Sequence, residues 1–525
     1  MNKEKILWDK FKKHLYFDEK TNFYLDISRV DFPEEYFQSQ KTSTNAAFKA
    51  MADLEAGSIA NPDEGRMVGH YWLRAPEKSP SNEIRTVIES SIKAIKVFAT
   101  GIIEGKITSP SGEAFQSFLL LGIGGSALGP QFVADALSSG KDKLKPFFID
   151  NTDPDGIEHT LRIIPNLSRT LVLVVSKSGG TPETRNAMLE VKARFKKLGL
   201  NFSRQAVAVT CENSLLDNIA KSEDWLMRFP MWDWVGGRTS LFSVVGLLPA
   251  ALQGFNVDSM LQGANHMDAL TRVPDTSQNP AMLLALMWNF IGEGDGNKDM
   301  VVLPYRDKLQ LLSRYLQQLV MESLGKEKDL DGKIVNQGLS VFGNKGSTDQ
   351  HAYVQQLREG LNNFFAIFIS VLKNSSESSR LEVEPGITCN DFLTGFLLGT
   401  RQALYENNRH SISITIDQVN EFNISMLIAL FERTVGFYAT LINVNAYHQP
   451  GVEAGKRAAS IIVKSKVKLV EILREKRDFI ELSELSKLIN QPQEIVFEIL
   501  QNLSAQGSIQ LEKGADIFKI KARTI

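Results

Sequence analysis

Four charged or titratable side chains of this 525-residue sequence carry groups that proton-transfer chemistry requires. Glu322 offers a carboxylate base, and Arg238 offers a permanent cation. His351 offers an imidazole that titrates near neutral pH, and Lys456 offers an ammonium donor. A base, a cation for a developing negative charge and a proton donor can together move a proton between two carbons. A single residue of any of these four types is more often a solvated surface group than a catalytic one. The surrounding sequence therefore has to show whether these four residues form a site.

The spacing around Glu322 predicts one functional helix face. Arg314, Gln318 and Glu322 fall at positions i, i+4 and i+8, which lie on the same side of an α-helix. Arg238 follows Gly237 at the predicted start of another helix, so that its guanidinium could project into a cleft. We therefore expect Gln318 and Glu322 to face a ligand, with Arg238 near it.

A glycine-rich turn follows the apolar run 118–121. Residues 122–130 read Gly-Ile-Gly-Gly-Ser-Ala-Leu-Gly-Pro and include Gly125 and Ser126. Glycines let the backbone approach an anion, and the amide groups of a following helix attract it. The same turn satisfies the GxGxxA dinucleotide pattern, and Asp150 ends the next apolar run, where a ribose-binding acid would lie. A nicotinamide-dependent oxidoreductase is therefore an open alternative at this point.

A second turn, residues 176–184, follows the apolar run 171–175. It supplies three hydroxyl groups within six residues, from Ser176, Ser178 and Thr181, together with the backbone of Lys177. Because the carboxyl ends of parallel strands meet at one edge of a sheet, we expect both turns to converge on one ligand. Their composition favours a phosphate monoester as that ligand.

Short apolar runs separated by helical stretches predict an α/β fold with two doubly wound parallel sheets. We expect a helical N-terminal segment at residues 1–100, a first sheet domain at 101–275 and a second at 276–466. The last unit, 467–525, reads as three helices and a hairpin, in the order of a winged helix. Its candidate recognition helix, from residue 493 to 504, has no Lys or Arg, so nucleic acid is not the expected partner.

Six segments of the sequence resemble the glucose-6-phosphate isomerases, a family built from sugar isomerase domains. They are residues 122–130, 176–184, 235–240, 318–323, 346–352 and 449–456. The resemblance implies reversible isomerisation of glucose 6-phosphate and fructose 6-phosphate through a cis-enediol, without cofactor or metal. It also implies a homodimer with shared active sites.

The resemblance assigns roles by position. Glu322 is then the base, Arg238 stabilises the enediolate, and His351, from the neighbouring subunit, assists ring opening with Lys456. The substrate-binding residues that it implies are Gly125, Ser126, Ser176, Lys177, Ser178, Thr181, Gly237, Gln318 and Gln449. A sugar-phosphate-sensing regulator is a further alternative, but sensing alone needs no base and therefore does not account for Glu322, His351 and Lys456 together.

The charge balance and the cysteine content indicate the compartment of the protein and the kinds of partner that it can bind. The chain has 59 Lys and Arg against 61 Asp and Glu, so no overall positive field attracts nucleic acid or an anionic membrane. Its most apolar stretches are interrupted or shorter than the ~18–20 residues of a membrane span. Cys211 and Cys389 form no CxxC pair, and apolar residues 6–8 are followed at once by Asp9. We therefore expect a cytoplasmic protein without a membrane partner.

Overall fold

The computed structural model describes residues 3–375, 378–514 and 516–525. The described chain forms two compact units, the first ending at His448 and the second beginning at Gln449. The N-terminal part of the first unit contains α1 (Lys3–His14), β1 (Leu15–Asp18), β2 (Phe23–Arg29), α2 (Tyr36–Ser39), α3 (Lys41–Glu55) and α4 (Asn82–Ile103).

A parallel sheet follows, and its strands alternate with helices. These elements are β3 (Ser117–Leu121), α5 (Leu128–Leu137), β4 (Lys145–Ile149), α6 (Pro154–Ile163), β5 (Thr170–Val175), α7 (Pro182–Lys197), β6 (Ala206–Thr210), α8 (Leu215–Ser222) and β7 (Met227–Pro230). The strand order is β4-β3-β5-β6-β7, and every neighbouring pair is parallel. Every residue of β3, β5 and β6 is buried, because helices cover both faces of the sheet.

The second half of the first unit builds another sheet. Its elements are α9 (Val244–Gln253), α10 (Val257–Thr271), α11 (Pro280–Ile291), β8 (Asp299–Pro304), α12 (Leu312–Leu316), β9 (Lys326–Lys328), β10 (Ile334–Gln337), β11 (Val341–Phe342), α13 (Val354–Glu359), β12 (Phe364–Val371), β13 (Glu382–Glu384), β14 (Ile387–Thr388), α14 (Cys389–Glu406), β15 (Ser411–Ile416) and α15 (Glu421–Leu441). The strand order is β1-β2-β15-β12-β8-β11. Strands β15, β12, β8 and β11 are parallel, as expected for the α/β fold.

The N-terminal segment differs in one respect from the helical lead-in that was predicted. Strand β2 pairs antiparallel with β15, and β1 pairs antiparallel with β2, so this segment extends the second sheet. The N-terminal part therefore contributes strands as well as helices to the fold.

Helix α15 is long and apolar enough to cross a membrane by length and composition alone, but 89% of that stretch is buried within the fold. It carries Glu432 and Arg433, which are fully buried with Arg74 and Asp268 in one ion cluster. Asp268 accepts hydrogen bonds from Arg74 Nε at 2.6 Å and from Arg433 Nε at 2.9 Å. Burial alone would raise the pKa of Asp268, but the two guanidinium groups lower it below its ordinary value. The cluster therefore ties α15 to α10 and to the N-terminal segment inside the core.

The second unit has its own core. It consists of α16 (Pro450–Lys476), β16 (Ile480–Glu481), α17 (Leu482–Ile489), α18 (Gln493–Ala505), β17 (Ile509–Lys513) and β18 (Ile520–Thr524). The three strands form an antiparallel sheet in the order β16-β18-β17. Leu473, Leu485 and Leu500 are fully buried in it. The predicted order of three helices and a hairpin is present, whereas the predicted boundary at 466/467 lies inside α16, and the domain boundaries stay a proposal.

Candidate active site

Two polar turns leave the same edge of the first sheet. Strands β3 and β5 are parallel neighbours, with Leu121 opposite Val174 at their carboxyl ends. The first turn passes through a short 3-10 helix, Gly124–Ser126, into α5, and the second turn leads into α7. The sheet therefore brings the two turns together, as the sequence predicts.

The second turn is preorganised by its own hydroxyl groups. Ser176 Oγ accepts a hydrogen bond from the amide of Gly179 at 3.1 Å, and Ser178 Oγ accepts one from the amide of Gly180 at 3.1 Å. Both hydroxyls thus keep a hydrogen that a ligand oxygen can accept. Thr181 is the N-cap of α7, and its side chain makes no capping bond. The turn therefore presents hydroxyl donors at a helix N-terminus, where an anion is stabilised.

Lys177 adds a half-buried cation to this turn. Its Nζ donates to the carbonyl of Asp233 at 3.3 Å. Burial lowers the pKa of Lys177 below its ordinary value. Its side chain thus points to residue 233, just before the segment that carries Arg238.

The first turn lies directly against the segment that carries Arg238. A β-carbon on Gly125 would stand 2.0 Å from the carbonyl oxygen of Gly237, so that only a glycine fits there. Ser240 Oγ donates to the same Gly237 carbonyl at 2.7 Å and fixes its position. Ser126 ends the 3-10 helix, and its amide donates to Ile123. The structure therefore places Gly125 against Gly237, and Ser126 is the next residue of the same turn.

Glu322 is held by two polar neighbours beside this region. It lies at the end of a π-helical segment, Gln317–Glu322, a form that often occurs at functional sites. Gln318 Nε2 donates to Glu322 Oε2 at 3.1 Å, and a β-carbon on Gly124 would lie 3.0 Å from the same nitrogen. The Glu322 side chain is 22% exposed and lies 3.3 Å from Arg238 Nη1. Gln318 thus connects the glycine-rich turn to a carboxylate that a ligand can reach.

Arg238 is buried, in contrast to the surface arginine that statistics favour. Its Nε donates to Ser323 Oγ at 2.8 Å, and its Nη2 donates to the carbonyls of Ala446 and His448 at 2.8 and 3.0 Å. Burial lowers the pKa of Arg238, and the Glu322 carboxylate offsets part of that effect. The guanidinium is therefore oriented by three neighbouring groups and faces Glu322.

Arg314 was expected to share a helix face with Gln318 and Glu322, and this stays a prediction. The Arg314 side chain is 60% exposed, and it lies 3.9 Å from Asp150. The α-helical period breaks after Leu316, where the chain changes to the π form, so the spacing of an α-helix no longer applies. Asp150 also accepts a hydrogen bond from Gln131 at 2.9 Å, so its carboxylate is engaged by the protein itself.

The other predicted site residues, His351, Gln449 and Lys456, lie in segments of the chain other than the one that carries Glu322. His351 is the last residue of a 3-10 helix. Its side chain is exposed and makes no hydrogen bond or ion pair with the residues described. Gln449 is the N-cap of α16, and Lys456 lies within that helix, both in the second unit. Their parts in the site stay predictions.

Two neighbours of Glu322 were missed by sequence reasoning. Ser323 Oγ accepts the hydrogen bond from Arg238 Nε. Lys326 Nζ donates hydrogen bonds to the backbone carbonyls of Glu322 and Ser323. The one signal available was that Lys326 follows Glu322 by four residues. Among the described residues, no group of three or more His, Cys, Asp or Glu is arranged to hold a metal ion.

Comparison with known proteins assigns this arrangement to one family. The family model described as phosphoglucose isomerase matches residues 34–404 and 361–473. The chain is 54% identical to glucose-6-phosphate isomerase of Geotalea daltonii, covering 98% of each chain, and 56% identical to that of Nostoc punctiforme, covering 99% of each. It is 55% identical to chloroplastic glucose-6-phosphate isomerase 1 of Arabidopsis thaliana, covering 97% of this chain and 84% of the relative. A crystal structure of a glucose-6-phosphate isomerase from Chlamydia trachomatis is similar, with a TM-score of 0.79 at 26% identity, over 87% of this chain and 90% of the other.

Proposed function

Because the chain belongs to the phosphoglucose isomerase family, we propose that Glu322 is the base of an aldose–ketose isomerisation. The enzyme interconverts glucose 6-phosphate and fructose 6-phosphate, a step of glycolysis and gluconeogenesis. Substrate and product are isomers, so the reaction needs no net oxidant or reductant. The dinucleotide interpretation of the glycine-rich turn is therefore set aside.

The observation that carries the proposal is the position of the Glu322 carboxylate between Gln318 and Arg238. In the open-chain sugar, Glu322 takes the proton from C2 of glucose 6-phosphate, and the electron pair moves to the C1 oxygen to give a cis-enediolate. The proton of the C2 hydroxyl passes to the C1 oxygen through the cis-enediol, and the Glu322 carboxylic acid returns its proton to C1, which yields the ketose. Arg238 stabilises the negative charge on the enediolate oxygens, and Gln318 keeps the carboxylate in place.

The phosphate group is proposed to bind at the two turns. Hydroxyls of Ser126, Ser176, Ser178 and Thr181 donate to its oxygens, together with the amide of Lys177. The close approach of Gly125 and Gly237 keeps side chains away from this end of the ligand. Anchoring the phosphate fixes the distance between the sugar carbons and Glu322, which supplies the proximity that catalysis needs.

Ring opening is proposed to use His351, Lys456 and Gln449. His351 is exposed in its own chain, which suits a residue that serves the active site of a second copy. We propose a homodimer in which each site takes His351 from the partner. Mixing refolded His351→Ala and Glu322→Gln chains tests this arrangement, because only mixed dimers hold one complete site. Regain of about a quarter of the wild-type activity is expected for random pairing, and no regain would exclude shared sites.

The compartment is also a proposal. One relative is chloroplastic by name and others are bacterial, and we propose that this chain works in the cytoplasm. The activity itself is tested by supplying fructose 6-phosphate and following glucose 6-phosphate with an excess of glucose-6-phosphate dehydrogenase. Saturable, protein-dependent formation of glucose 6-phosphate is expected, and no turnover above buffer would overturn the function.

A further inference from the structure

Lys326 is a buried lysine beside the proposed base that the reaction described above does not use. It begins β9, four residues after Glu322, and is only 5% exposed. Its side chain folds back, so that Nζ donates to the carbonyl of Glu322 at 2.8 Å and to the carbonyl of Ser323 at 2.7 Å. Carbonyls in the last turn of a helix lack partners within the helix, and Lys326 supplies one to the turn that carries Glu322.

The charges around Lys326 belong to the active site. Arg238 and Glu322 face it from the first-sheet side and from the π-helical segment, and Asp63 faces it from the N-terminal part. Burial lowers the pKa of the His448 imidazole, and the nearby charge of Lys326 lowers it as well, while Asp63 opposes the shift. Burial, together with the nearby charge of Arg238, lowers the pKa of Lys326 to about 7, although Glu322 and Asp63 oppose the shift. Lys326 can therefore lose its charge near neutral pH.

We propose that Lys326 is a positioning residue for the isomerisation, whose ammonium group holds the last turn of the π-helical segment and thereby aims the Glu322 carboxylate. The proposal rests on the role of Glu322 as base. The neutral amine can still donate to both carbonyls, but the hydrogen bonds are no longer charge-assisted and are weaker, so that the carboxylate is held less firmly. Because Lys326 acts on the base and not on the phosphate turns, it affects the proton-transfer step and leaves sugar-phosphate binding largely unchanged.

The test compares Lys326→Met and Lys326→Arg with Lys308→Met. Lys308 is the matched control, since it is also partly buried and donates to a backbone carbonyl, that of Ser138, at 2.9 Å. Each variant is assayed with fructose 6-phosphate from pH 6 to pH 9.5, and its folding is checked by thermal unfolding. In Lys326→Met we expect kcat to fall about 10- to 100-fold while KM changes little. Lys308→Met is expected to behave as wild type.

The pH profile separates positioning from a merely structural role. The lysine is charged below its pKa, so the wild-type kcat is expected to decline as the pH rises through the pKa of Lys326. In Lys326→Arg, which stays charged throughout, that decline moves to higher pH, and much of the rate is kept. A Lys326→Met kcat within twofold of wild type, or an alkaline limb that is the same in wild type and Lys326→Arg, would overturn the proposal. Lys326→Arg keeps the test decisive if Lys326→Met does not fold.

Assaying Glu322→Gln in parallel separates this proposal from the function itself. If Glu322→Gln is inactive and Lys326→Met is normal, only the role of Lys326 is overturned. If Glu322→Gln keeps its activity, the proposed base is wrong, and the role of Lys326 falls with it.

Discussion

Gly125 and Gly237 touch so closely that a β-carbon on Gly125 would stand 2.0 Å from the Gly237 carbonyl oxygen. This contact joins the turn after β3 to the short 3-10 helix that carries Arg238. The position of Arg238, and with it the pairing to Glu322, therefore depends on the absence of a side chain at residue 125.

Gly125→Ala is expected to lower kcat/KM by about 100-fold or more, because the methyl group must displace backbone that carries Arg238. Steady-state kinetics with fructose 6-phosphate measure this effect. Gly395→Ala in α14 is the control, since a β-carbon there meets nothing within 4 Å. A Gly125→Ala enzyme with normal kcat/KM would show that the two turns can separate without consequence.

Thr181→Val tests the phosphate turn. The valine keeps the shape of threonine but removes a hydroxyl that makes no capping bond in the structure. Loss of one hydrogen bond to a charged ligand costs about 1.5–3 kcal/mol, so KM is expected to rise about 10- to 100-fold. Because the phosphate is bound equally in ground state and transition state, kcat should change by less than threefold or so. A large fall in kcat at unchanged KM would contradict phosphate binding by Thr181.

Asp268→Asn tests the buried ion cluster, away from the chemistry. Removing this charge leaves the guanidinium groups of Arg74 and Arg433 with fewer partners in the core, at a cost of about 3–5 kcal/mol. The midpoint of urea unfolding at pH 7 should fall accordingly. Asp258→Asn, which removes an exposed partner of Lys96, should change stability by less than about 1 kcal/mol. Equal urea midpoints for the two variants would show that the ion cluster does not stabilise the folded protein more than an exposed ion pair does.

The same cluster predicts how stability depends on pH. The pKa of Asp268 is lower in the folded state than in the unfolded chain, so its contribution is complete above the ordinary aspartate pKa. That contribution is lost as the pH falls towards the folded value. The difference between wild type and Asp268→Asn should therefore shrink on acidification.

Much of the first sheet was predictable from local sequence. The runs that became β3 and β5 are continuously apolar, because both faces of a parallel sheet are buried, and glycine or serine follows each of them at once. Parallel pairing then places Gly125 and Ser176 at one edge without further information. The phosphate turns could be located for this reason.

Other features of the fold and of the site could not be predicted, because they depend on contacts between distant parts of the chain. Strand β2 could not be recognised as part of the second sheet, because its partner β15 lies nearly 400 residues later. The change to a π-helix after Leu316 alters the spacing on which the predicted helix face was based, and no residue type announces it. The buried Arg238 donates to the carbonyls of Ala446 and His448, which are about 200 residues away in the sequence. Only folding brings these groups together, so the sequence alone does not predict the contact.

The proposed isomerisation depends most on Glu322, and one measurement tests the role of this residue directly. Glu322→Gln keeps the size of the side chain and an oxygen that can accept from Gln318, but it removes the charge that faces Arg238 and cannot take a proton from carbon. Wild-type and variant enzymes are incubated with fructose 6-phosphate in deuterium oxide, and both glucose 6-phosphate formation and deuterium incorporation at carbon are followed. We expect both rates to fall by about 1,000-fold or more while sugar-phosphate binding persists. Turnover and exchange at near wild-type rates would contradict the assignment of Glu322 as the base.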